Sequence, residues 1–399
     1  MIASPYKDER IKYMYNFNFH VPTNVYFGEG ELNVLPNVLK DYSGKYLLVY
    51  GGTGIKNAPF WPKILDAFKG KEDEVIEFAM EPNPQVSEIN RGVDICRKKG
   101  VKTLVAVGGG SAIDTAKLIA GCYSYEGNAW DIISGKEKIT SALPIIAVST
   151  VAATGSEMDT DGVIINKETK EKISCPNPLL RPAVAILDPT LTYSVPKRQT
   201  SAGTIDIMSH VFEQYFTHIK TAYIQDRLCE AILKTCIKYG PIALNDPENY
   251  EARSNLMWAA PLALCDLLAC GKAEPWTVHV IEANFCARFG TTHGEVLAVL
   301  TPYWMDYALR EDTAEKFAEY GINVWGLNKN EDFMSTAKEA IQKTRDFFDL
   351  MGAPKKLSEL GITEDSLAEV AKVSAIPDLE EAFVPMGEDD ILNMLKKAY

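Results

Sequence analysis

The sequence predicts an α/β dinucleotide-binding domain with a parallel sheet, followed by an all-helical domain. Three observations predict it. Up to residue 195, short β-branched runs alternate with amphipathic stretches, the rhythm of strands joined by helical crossovers. From Pro196 onward only helical spacing remains. At 399 residues the chain exceeds what one core usually organises, so the expected domains are 1–195 and 196–399.

The strands announce themselves by their exits. Tyr46–Tyr50 ends in Gly51-Gly52, Val75–Ala79 is followed by Pro82-Asn-Pro84, and Thr103–Val107 ends in Gly108-Gly109-Gly110. Pro144–Val148 runs into Ser149-Thr150, and Ala183–Leu187 closes at Asp188-Pro189. Ser87–Lys99 and Ala112–Cys122 carry the 3.6-residue period between them. Beyond the boundary at 194–198, Gln225–Tyr239, Ala252–Ala269, Val278–Phe289, Glu295–Leu309 and Phe333–Met351 read as helices, and the tail from Leu357 as short ones.

Composition narrows the function. With 46% apolar and 24% charged residues, the chain is neither disordered nor collagen-like. No window approaches the ~18 apolar residues of a membrane span. The acid-containing start, Met1–Arg10, lacks an apolar signal region, so a cytoplasmic protein is expected. A net charge of −13 argues against nucleic-acid and membrane partners. The eight cysteines are scattered without a CxxC and read as buried thiols; Cys265 and Cys270 fall in an apolar helical run.

Gly108-Gly109-Gly110-Ser111 sits between a buried strand and a helix. A pyrophosphate needs approachable backbone N–H groups with a helix N-terminus behind them. Ser111 and Asp114 have capping-box spacing. Ile113 occupies the place of a third glycine, so G-x-G-x-x-G is not satisfied, and a tight turn without a ligand is the alternative. The turn Gly51-Gly52-Thr53 lies where such folds meet the adenine ribose, and no acid occurs between Val49 and Lys56. That permits a 2′-phosphate, hence NADP(H), with NAD(H) as the second cofactor. Thr150–Glu157 suits a phosphate or nicotinamide contact, or a plain surface loop. Asp159–Gly162 lacks the terminal glutamate of a calcium loop.

Five histidines occur. Asp206 and His210 are spaced i,i+4, one turn apart on one helical face; a solvated Asp–His pair is the alternative. His279 lies in an apolar helix. Phe289-Gly290 marks that helix's end, and Thr292–Glu295 has capping-box spacing, with His293 in the next helix's first turn. Each histidine alone is more often a core residue than a ligand. Three imidazoles and one carboxylate together suit Fe(II) or Zn(II) far better than Mg or Ca. His20 and His218 have no such company.

Taken together, the glycine run with Asp114 and Lys117, the 150–157 loop, Asp206-x-x-x-His210, His279 and His293 resemble the iron-containing (group III) alcohol dehydrogenases, from Asn16 to the C-terminus. The branch of NADPH-dependent aldehyde reductases and butanol dehydrogenases is similar at Met14–Thr23, which implies that residues 1–13 are an extension. The resemblance implies metal ligands at Asp206, His210, His279 and His293. It implies pyrophosphate contacts at Gly108, Gly109, Gly110 and Ser111 with Asp114. Further cofactor contacts follow at Asn83, Thr150, Thr154 and Lys172, and a 2′-phosphate-tolerant turn at Gly51, Gly52 and Thr53. Hydride transfer between nicotinamide C4 and a carbonyl carbon is the implied reaction, favouring aldehyde reduction in a cleft between the domains of a homodimer. One position departs: the family's second histidine, four residues after the third ligand, is Ala283 here. Solvent or a ribose hydroxyl is then expected to deliver the proton. The competing expectations are a metal-dependent lyase or synthase resembling the dehydroquinate synthases, and a non-catalytic NADP(H)- and metal-binding protein.

Overall fold

The computed structural model describes residues 13–399, apart from 43, 53, 82, 83 and 330. Residues 20–196 and 245–265 form one compact unit; residues 13–19, 197–244 and 266–399 form the other. A single division at 195/196 therefore misses two exchanges. Residues 245–265 pack with the α/β unit and 13–19 with the helical one, because an amphipathic period does not encode which core a helix meets. Of the expected extension, 1–12 lie outside the described residues.

In the α/β unit the strands are β1 (Asn24–Phe27), β2 (Lys45–Gly51), β3 (Val75–Met80), β4 (Val101–Gly108), β5 (Ile145–Ser149), β6 (Val163–Asn166), β7 (Glu171–Ser174) and β8 (Val184–Leu187). Six of them form one sheet in the order β1-β8-β5-β4-β2-β3, with every pairing parallel. β6 and β7 form a separate antiparallel pair. Helices α1 (Leu35–Asp41), α2 (Trp61–Asp66), α3 (Val86–Lys99), α4 (Gly110–Cys122) and α5 (Ala129–Ile133) complete the first stretch. Successive strand residues face opposite sides, and both sides are covered. Leu47, Val49, Leu104, Ala106, Ile145 and Ala147 pack with α3, α4 and α5. Tyr46, Leu48, Val105, Val107, Ile146 and Val148 pack with α1 and α2. Burial on both faces is why these strands read as unbroken apolar runs. β3 lies on one side of β2 and β4 on the other, so the strand order reverses between β2 and β4, where doubly wound sheets bind ligands at the strands' carboxyl ends.

Among the described residues no strand follows β8. The remaining helices are α6 (Lys197–Tyr215), α7 (Tyr223–Asn245), α8 (Tyr250–Leu264), α9 (Thr277–Phe289), α10 (His293–Ala308), α11 (Ala314–Trp325), α12 (Phe333–Leu350), α13 (Leu367–Ser374) and α14 (Glu388–Ala398). α8 stops before Cys265, so Cys265 and Cys270 lie beyond the helix rather than inside it; all eight thiols are free and buried. α6 is buried on every face from Thr200 to Tyr215, as befits a helix enclosed by others. It packs on α10, which packs on α9. No helix among the described residues is long and apolar enough to cross a membrane.

Candidate metal centre and dinucleotide loop

Helix α6 presents Asp206 and His210 one turn apart, with His210 Nε2 3.7 Å from Asp206 Oδ1. α9 brings His279 in its first turn. Gly290, at φ +65°, ends α9, and α10 begins at His293, whose Nε2 lies 3.3 Å from Asp206 Oδ1. One ligand atom from each of the four side chains lies within 4.8 Å of the others. The rings of His210 and His279 stack at 4.9 Å. Among the described residues this is the one group of His, Cys, Asp or Glu side chains able to hold a metal ion.

Two buried glutamates stand behind the imidazoles. Glu213 Oε1 is 3.0 Å from His279 Nδ1, and Glu282 Oε2 is 2.6 Å from His293 Nδ1. With Nδ1–H donated to a carboxylate, each Nε2 carries the lone pair a cation needs. His279 Nε2 is buried with no hydrogen-bond partner among the described residues. Such an atom costs about 1–3 kcal/mol if left unmet, and a divalent ion would meet it. Three nitrogens and one carboxylate fit Zn(II) or Fe(II). Trp276 stands edge-on to His279 at 5.1 Å and to His210 at 6.0 Å, an apolar wall beside the ligands.

In the α/β unit the glycine residues gather at the carboxyl ends of β2 and β4. Gly51 ends β2, and Gly52, at φ +59°, donates its N–H to Met80 O. Gly108 ends β4 and Gly109 is the N-cap of α4, which opens with Gly110 and Ser111. Thr150 N–H donates to Gly108 O at 3.0 Å, laying the 150–157 loop beside the glycine turn. A Cβ on Gly110 would stand 2.5 Å from Thr154 Oγ1, so only glycine fits. Lys172 lies in β7, opposite Ile165, and Ile165 N–H ties that hairpin to Pro84 O. Thr53 and Asn83 lie outside the described residues.

Both expected capping boxes are corrected. α4 has Gly109 at its N-cap and no side-chain cap, because Asp114 turns inward and accepts from Ser156 Oγ at 2.5 Å. Thr292 is the N-cap of α10, also without a side-chain cap; Glu295 pairs with Arg198 instead. Lys56 is held by Glu77, which also accepts from Tyr50 Oη at 2.7 Å, so its charge is already matched. Burial pushes Asp114 up to about 6 and Glu157 up to about 7, with Lys117 opposing both. Lys117, buried in α4, pairs with the buried Asp159 and donates to Asp161 O at 2.9 Å.

Neither Glu213 nor Glu282 stands out in the sequence, yet a signal exists. Each follows a ligand histidine by three residues, and so shares its helical face. Glu213, after His210, serves His279; Glu282, after His279, serves His293. Ala283, by contrast, brings no polar side chain to α9, and Asn284 beside it bonds Ser374 Oγ at 3.0 Å.

The iron-containing alcohol dehydrogenase family matches residues 22–189, and the C-terminal part of the Fe-containing alcohol dehydrogenase family matches 200–399. The chain is 48% identical to NADH-dependent butanol dehydrogenase B of Clostridium acetobutylicum, over 96% of this chain and 100% of that one. It is 37% identical to the NADPH-dependent aldehyde reductase YqhD of Escherichia coli, over 97% and 99%. The crystal structure of NADH-dependent butanol dehydrogenase A from Thermotoga maritima superposes with a TM-score of 0.90 at 32% identity, covering 97% of this chain and 99% of that one. The chain belongs to the iron-containing alcohol dehydrogenase family.

Proposed function

We propose that this alcohol dehydrogenase interconverts short primary alcohols and aldehydes, favouring aldehyde reduction, with NADP(H) preferred and NAD(H) second. One observation carries it: Asp206, His210, His279 and His293 converge, with the Nδ1 atoms of His279 and His293 held by buried carboxylates. A bound Fe(II) or Zn(II) supplies Lewis-acid polarisation of a carbonyl. The chain's own work is positional. Glu213 and Glu282 hold two imidazoles with Nε2 outward, α6 fixes the Asp206–His210 spacing, and Trp276 stands edge-on beside His210 and His279. In the α/β unit, Gly108–Ser111 offer unhindered backbone N–H groups at the start of α4, suited to a pyrophosphate. Thr150 and Thr154 line the same turn, Asp114 lies one turn into α4, and Lys172 belongs to the hairpin tied to Pro84. The turn Gly51-Gly52 places no carboxylate against a 2′-phosphate, which supports NADP(H).

The printed names of the relatives support alcohols and aldehydes of butanol size and favour neither the lyase nor the non-catalytic alternative. The test is butanal reduction by protein stripped of metal and reloaded separately with Fe, Zn, Ni or Mn, using NADPH and NADH. Metal-dependent consumption of reduced dinucleotide, faster with NADPH at low concentration, is expected. Full turnover by metal-free protein would overturn the site assignment, and a preference for NADH would overturn the cofactor assignment.

A further inference from the structure

We propose that Glu213 is a positioning residue that makes the first turn of α9 and the metal-facing side of His279 a single unit. This rests on the metal assignment above. α9 begins after Trp276, whose backbone is left-handed (φ +53°) and whose side chain provides no cap. A non-glycine residue in that region is strained and persists only where its surroundings over-determine it. A helix start also leaves its first N–H groups without intrahelical partners. Here one carboxylate from another helix takes three of them. Glu213 Oε2 accepts from Thr277 N at 2.9 Å, and Oε1 accepts from Val278 N at 2.8 Å and His279 N at 3.1 Å. The same Oε1 meets His279 Nδ1.

The negative charge sits at the positive end of α9, so the group that caps the helix also fixes which ring nitrogen is turned outward. Glu213 is three residues after His210 and seven after Asp206, on the same face of α6. That helix thus carries two of the four ligands and the carboxylate that aims a third. Glu282 differs: it lies within α9 and meets the ring of His293, at a distance in sequence from the start of its own helix. Orientation of His279 is therefore coupled to formation of a helical turn, whereas Glu282 acts at the ring of His293.

The test compares Glu213→Gln with Glu282→Gln. An amide in place of the Glu213 carboxylate turns a donor toward N–H groups that need an acceptor. The full-length protein is stripped of metal, and amide hydrogen exchange is followed in the peptide covering 276–282. Zn²⁺ affinity is measured separately by competition with a chelating indicator. For Glu213→Gln, exchange at Thr277, Val278 and His279 should accelerate at least about tenfold, and Zn²⁺ affinity should fall about 10–100-fold. For Glu282→Gln, affinity should fall by a similar factor while exchange at 277–279 stays as in the wild type. If Glu213→Gln yields no folded protein, Glu213→Asp, one methylene shorter, should shift both readouts in the same direction. Unchanged exchange or unchanged affinity in the folded Glu213 variant overturns the inference. Equal acceleration in the Glu282 variant does so too. Wild-type protein that fails to bind Zn²⁺ overturns the metal assignment instead, a result the exchange arm cannot mimic.

Discussion

The two units build their sites from opposite materials. In the α/β unit the groups proposed to face a ligand are mainly backbone, in short stretches of chain at the ends of β2 and β4. In the helical unit they are side chains, drawn from positions 206 to 293 and aimed by buried carboxylates at 213 and 282. A backbone site is defined by what is absent, namely Cβ atoms and a carboxylate at the ribose turn. A side-chain site is defined by what is present, and it fails when any one part is missing. The first should tolerate most substitutions but not added bulk; the second should tolerate almost none.

The sharpest way to break that contrast is His279→Ala. Losing one ligand should abolish metal retention and lower turnover at least about 10³-fold, the equivalent of several kcal/mol. Dinucleotide affinity should stay within about twofold, as judged by nicotinamide fluorescence titration. Retained metal with near-normal turnover would show that the helical site is not side-chain defined.

A pH experiment probes the α/β unit next. Burial holds Glu157 at about 7 in the folded chain, above its ordinary 4.5. Between those values the folded state binds the proton more than the unfolded state does. The stability it contributes is therefore present at low pH and lost as pH rises through about 7. From pH 5 to pH 8 the wild type should lose about 2–3 kcal/mol more than Glu157→Gln, measured by urea unfolding of the full-length protein. Parallel pH dependence in the two proteins would contradict this.

Gly110→Ala adds only a methyl, but places it against Thr154. Overpacking of this kind costs about 1–3 kcal/mol of folding stability, so the unfolding free energy measured in urea should fall by that amount while metal content, measured by atomic emission, is unchanged. The smallest expected effect is at the ribose turn. Gly51 has open space where a side chain would stand, and Gly51→Asp should shift the NADPH:NADH ratio of kcat/KM toward NADH by about tenfold. An unchanged ratio would move the 2′-phosphate elsewhere.

Legibility in the sequence followed the same divide. β2, β4 and β5 could be read because burial on both faces makes them apolar throughout. β1, β6 and β7 were not, being only four residues each: β1 and β7 are exposed at both ends and lack that run, and β6, although mostly buried, offers only Val163-Ile164-Ile165. The four converging side chains were visible as residue types with one i,i+4 pair, and the resemblance joined the distant members. Glu213 and Glu282 were hidden because an acid on a helix is ordinarily solvated, and only interhelical packing buries these two. Asp114 and Glu295 were misassigned to helix caps for a related reason. Capping spacing is local, whereas their partners, Ser156 and Arg198, are 42 and 97 residues away. Which unit α8 joins was likewise beyond a helical period.

The central claim is that three imidazoles and one carboxylate enclose a single ion. X-ray absorption at the metal edge of the Zn-loaded protein tests it most directly. The account predicts one zinc per chain with a nitrogen and oxygen shell at about 2.0–2.2 Å, including the multiple scattering of three imidazoles. A sulfur shell near about 2.3 Å, or scattering from one imidazole or none, would contradict it.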